Sequence, residues 1–114
     1  MRIVPLTADL WTGPLPKSLR GVAVLEGDRL WCTAGVYLGN RCWIMCLQWK
    51  DRPERFSFHQ KRVLLNGFRM IMDMIKDSQL PIQTLADDCI ERSESFLTHL
   101  GFIPVSGRVY QWLR

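Results

Sequence analysis

Long hydrophobic runs are missing from this 114-residue chain. Its most apolar stretches, such as residues 69–75, meet charge well before the roughly 20 apolar residues a membrane span needs, so no membrane partner is expected. The opening Met1-Arg2-Ile3-Val4-Pro5-Leu6 carries a positive residue but neither the apolar core nor the small-residue cleavage site of a secretory signal, so the chain is expected not to be secreted. Cysteine is scarce. Cys32, Cys42, Cys46 and Cys89 each sit in an apolar context, which favours buried free thiols over bridges. A zinc set of Cys42, Cys46 and His59 is disfavoured, because thiols four residues apart in one strand stand about 13 Å apart at about 3.3 Å per residue. Internal repeats and low-complexity segments are absent, as are a Gly-x-Ser-x-Gly elbow, a Walker loop and a Cys–His nucleophile pair.

What is present fits one packed domain spanning residues 1–114. Hydrophobic residues make up 47% and charged residues 23%, enough to bury one core and too few charges for a disordered tail. The net charge of +4 is modest and predicts no nucleic-acid partner. Its distribution matters more: Lys50, Arg52, Arg55, Lys61 and Arg62 face only Asp51 and Glu54, the one local cluster suited to an anion. The bland reading of that cluster is a solvated charge run.

Apolar runs at residues 19–25 and 30–37 flank Glu26-Gly27-Asp28-Arg29, and Gly39-Asn40 separates the second from a third run at 41–49, predicting a three-strand meander. The period then changes. Leu64, Phe68, Ile71, Met72 and Ile75 recur at helical spacing, with Ser57 and Gln60 in capping-box register and Pro81 marking the end beyond Leu80. A short buried strand at 82–86 follows, and Asp88 with Glu91 predicts the cap of a second helix that ends near Gly101. Residues 102–105 and 109–113 around Ser106-Gly107-Arg108 read as a last hairpin, and residues 2–6 as an edge strand. Between them and the meander, residues 7–18, with Gly13, Pro14 and Pro16, read as loop.

This order resembles the GNAT superfamily of N-acetyltransferases, and Ser93-Glu94-Ser95-Phe96-Leu97-Thr98-His99-Leu100-Gly101-Phe102 is similar to its late-helix signature Ala-x-x-Phe-Tyr-x-Lys-x-Gly-Phe. Gly39-Asn40-Arg41-Cys42-Trp43 and Phe96-Leu97-Thr98-His99-Leu100-Gly101 also resemble the GNAT-like internal virion proteins of short-tailed bacteriophages. The resemblance implies an α+β, acyl-CoA N-acyltransferase fold, with a mostly antiparallel central sheet, two main flanking helices and a shortened N-terminal helical region. It also implies a V-shaped opening between residues 41–49 and 82–86 that admits the cofactor arm, here expected to be narrowed by Met45, Leu47, Trp49 and Phe56 and closed inside by Leu97.

The family's chemistry is eroded at the matching positions. Its glycine-rich pyrophosphate loop corresponds to Lys50 through Gln60, which contains no glycine, while Pro53 removes a donor. Its proton-donating tyrosine corresponds to Leu97, which has no proton to give, and its frequent asparagine to Ile90. No carboxylate lies in 41–49 to act as base, Glu26 and Asp28 belong to a turn, and His59 and His99 read as surface or capping residues.

The expectation is therefore a degenerate acetyltransferase without catalytic residues or bound cofactor, serving as a virion or host-interaction protein in the host cytoplasm or the virion. Self-association stays open. Five tryptophans, Trp11, Trp31, Trp43, Trp49 and Trp112, exceed what a small core absorbs, so some are expected at a protein interface. The alternative is an active acetyl-CoA-dependent enzyme. Its cofactor would then lie against Leu47, Trp49, Arg52, Arg55, Ser57, Phe58, His59 and Lys61, with the cations replacing the missing backbone cradle.

Overall fold

The computed structural model describes residues 1–50, 55–85, 97–98 and 100–112. Strands β1 (Arg2–Pro5), β2 (Arg20–Glu26), β3 (Arg29–Leu38) and β4 (Trp43–Trp49) precede helix α1 (Phe58–Met74), and β5 (Ile82–Leu85), β6 (Ile103–Ser106) and β7 (Val109–Trp112) follow it. All seven strands join one sheet in the order β1-β2-β3-β4-β5-β7-β6. β4 and β5 run parallel, paired only at Trp43 with Ile82 and Ile44 with Gln83, and the other neighbours are antiparallel.

The period-two alternation of β2 to β4 sends Val22, Val24, Cys32, Val36 and Met45 to one face, and α1 lies across it. The helix meets them with Val63, Leu64, Gly67, Phe68 and Ile71, one stripe at helical spacing. Phe102, Ile82, Leu97 and Tyr110 complete this core, with Phe68 and Phe102 ring centroids 5.7 Å apart. No helix among the described residues is long and apolar enough to cross a membrane.

The expected fold needs correction. An N-acetyltransferase-like sheet between two main helices is not what the described residues form: they build a seven-stranded mixed sheet with one helix, α1. Among the described residues, the cover on the face away from α1 is loop. After a short 3-10 turn (Ala8–Leu10), Gly13, Pro14 and Pro16 prevent regular helix, and the segment is fastened by the Gln48 side chain. Gln48 Oε1 accepts from Thr12 N at 3.0 Å, Gln48 Nε2 donates to Thr12 O at 2.7 Å, and Thr33 Oγ1 donates to the same Oε1 at 3.3 Å. Under this strap Ala23 and Thr33 are buried.

Other boundaries shift for local reasons. α1 stops at Met74, short of Leu80, and Ser78 N and Lys76 N make tight bonds to Ile75 O and Asp73 O. That exit lets Ser78 Oγ accept from both Trp43 Nε1 and Leu80 N. β4 begins at Trp43, because Arg41 takes a left-handed φ of 64°. The cap proposed at Asp88 and Glu91 lies outside the described residues. The end of that segment is described: Leu97, Thr98 and Leu100 are helical. Gly101, at φ 102°, donates to Thr98 O while Phe102 N donates to Leu97 O, which is a Schellman ending.

Candidate functional site at the start of α1

Aromatic packing sets where the chain enters α1. Trp49 at the end of β4 meets Trp31 edge-on at 5.1 Å and Phe56 at 5.4 Å, and Lys50 N donates to Trp31 O at 3.0 Å. Phe56 is thus held against the sheet immediately before the helix. Ser57 then caps it reciprocally: its Oγ accepts from Gln60 N at 3.0 Å, and Gln60 Oε1 accepts from Ser57 N at 2.9 Å.

The first helical residue, Phe58, is 80% exposed. Lys61 and Arg62, three and four residues on, lie beside it on the helix surface, and Arg55, His59, Lys61 and Arg62 are all exposed. Their sign opposes the helix dipole. The first turn holds no acid and the last turn no base, while Asp73 stands near the negative end. Each such placement costs a few tenths of a kcal/mol to about 1 kcal/mol relative to the reverse. Among the described residues, the start of α1 therefore presents exposed cations beside an uncovered aromatic ring.

The residues expected to hold a cofactor divide into two groups. Leu47 and Trp49 point to the α1 face and belong to the packing there: Leu47 borders an apolar cavity of about 30 Å³, and Trp49 joins the Trp31 and Phe56 cluster. A cavity lined by Val24, Cys32, Leu64 and similar side chains has no polar partners for water or a charged ligand. Arg55, Ser57, Phe58, His59 and Lys61 cluster on the surface, with Ser57 committed to the cap. Arg52 lies outside the described residues, as do His99, Ile90 and Cys89.

Beyond the two β4–β5 pairs, Thr84 Oγ1 donates to Met45 O at 3.1 Å, so a side chain takes up the backbone acceptor where the strands part. Met45 and Leu97 are both 5% exposed and share the core with Ile82. Tyr110 is buried there too. Tyr37 lies on the opposite face, its hydroxyl hydrogen-bonded to Cys46; the neighbouring Cys46 charge raises the phenol above its ordinary value, and burial raises the Cys46 thiol. Among the described residues no group of three His, Cys, Asp or Glu side chains is arranged to hold a metal.

Two features escaped sequence reasoning. Thr84 and Gln48 act through their hydroxyl and amide across strands, and nothing in the spacing of a strand tells which polar side chain will face an unpaired carbonyl or a crossing loop. Of the tryptophans, Trp31 and Trp43 are buried and Trp11, Trp49 and Trp112 half-buried, and among the described residues Phe58 is the exposed aromatic. Compared with protein-family models, with curated proteins and with solved structures, the chain matches none of them.

Proposed function

We propose that this protein is a non-catalytic binding module that docks a protein partner at the start of α1, with Phe58 as the anchor. The observation that carries this reading is the 80% exposure of Phe58 beside exposed Lys61 and Arg62 on the helix surface, with Arg55 and His59 exposed close by in the chain. A large aromatic beside arginine is the composition of interface hot spots, and the cations select a partner with an acidic rim around an apolar pocket. A virion or host protein, the partner class suggested by the sequence resemblance, belongs to this proposal. No acyl-transfer step is assigned: by sequence resemblance alone Leu97 matches the position of that family's proton-donating tyrosine, and leucine has no transferable proton.

The test is a quantitative comparison of proteins co-isolated with the wild-type chain, Phe58→Ser and the Lys61→Glu/Arg62→Glu double variant from the cells in which the chain functions. A specific partner should bind the wild type and lose about 30-fold in affinity, about 2 kcal/mol, with Phe58→Ser. The charge variant should weaken binding mainly through slower association and remove most of its salt dependence. A partner that binds all three proteins alike, or acetyl-CoA binding abolished by the same substitutions, would replace this reading with another.

A further inference from the structure

Among the described residues, the sheet face away from α1 is covered unevenly. The strap fastened to Gln48 lies over the β2–β3 side, where Ala23 and Thr33 are buried. Across the rest, strand register aligns Tyr37, Ile44, Gln83, Gln111 and Ile103 in one row over β3, β4, β5, β7 and β6. Their neighbours along the strands, Val36, Met45, Ile82 and Trp112, belong to the α1 side, so the row faces the other way. Four of the five are half-buried and Ile103 is 49% exposed. An outer sheet face is normally polar and charged, yet this row carries no charge.

We propose that a second copy of this chain covers this half of the face about a two-fold axis. The central amides supply the specificity. Gln83 Nε2 donates to Gln111 Oε1 at 2.8 Å, which leaves an amide donor on Gln111 and a carbonyl acceptor on Gln83. An isologous contact sets the Gln83 of one copy against the Gln111 of the other, so the spare acceptor meets the spare donor twice over. The same holds if both amides are turned over. Charge selects this face as well: the chain carries +4, and contact through α1 would oppose Lys61, Arg62 and Arg69, whereas the neutral row brings no like charges together. Tyr37, Ile44 and Ile103 supply the apolar area on either side of the amides.

Sedimentation equilibrium of the whole chain from about 1 μM to about 1 mM tests this. The mass should rise with concentration from 13.3 kDa toward twice that value, with little dependence on salt. Ile103→Lys, placed at a half-exposed position, should weaken the dimer at least tenfold, and Phe58→Ser should leave it unchanged. A measurement on the wild type keeps the proposal falsifiable if Ile103→Lys does not fold. The half-buried Cys46 lies one row away, and its alkylation, located by peptide mass spectrometry, should slow as the dimer fills. A monomer throughout, a dimer indifferent to a folded Ile103→Lys, or Cys46 alkylation independent of concentration would each overturn it.

Discussion

Gly21 shows how one residue can set the spacing of a sheet. It faces Gly35 across β2 and β3, and a methyl group at Gly21 would press into the carbonyl oxygen of Ala34 and stand 2.9 Å from Gly35 Cα. Backbone cannot yield as a flexible side chain can, so Gly21→Ala should cost about 2–3 kcal/mol in denaturant unfolding. Cys32, fully buried beside the apolar cavity, has its thiol pushed up to about 12 from 9.0 by desolvation. The unfolded chain therefore loses this proton first as pH rises. Stability from this group is intact below about pH 9 and falls by about 1.4 kcal/mol per pH unit between 9 and 12. Urea unfolding across that range should show a shallower decline for Cys32→Ala than for the wild type, whereas parallel declines would mean the thiol is reached by water.

At the scale of elements, the capped helix is where local sequence and structure agree most closely. Ser57 and Gln60 satisfy each other's backbone donors, and Ser57→Ala should cost about 1 kcal/mol in thermal unfolding, while Phe58→Ser at the neighbouring exposed position should change stability by less than about 0.5 kcal/mol. The meander, the last hairpin and the Schellman ending at Gly101 were legible for the same reason: turns and caps are decided by residues within four positions of one another. Elements that depend on distant partners were not. The end of α1 follows from Ser78 meeting Trp43, and the strap follows from Gln48 meeting Thr12, contacts 35 and 36 residues apart. The expected pair of flanking helices failed at this level, because an element order can be shared by architectures that cover their sheets differently.

For the whole molecule, the candidate site was half legible. The basic cluster at residues 50–62 could be read from composition, and Arg55, His59 and Lys61 are each exposed at or next to the start of α1. That Leu47 and Trp49 serve the core could not be read, since a strand leading to a site and a strand beneath a helix show the same alternation. Nor could the exposure of Phe58, which the helical period alone places beside either face. Among the described residues the molecule has an uncharged row on the outer sheet face, an apolar interior, and an exposed Phe58 beside exposed cations at the start of α1. Replacing Phe58 by a photo-crosslinking phenylalanine analogue, in the cells where the protein acts, tests this most directly. One acidic protein should be captured at position 58 and not from the position of Leu15, an apolar residue 51% exposed, with capture falling as salt rises; equal capture at both positions, or none at 58, would contradict the assignment of this surface.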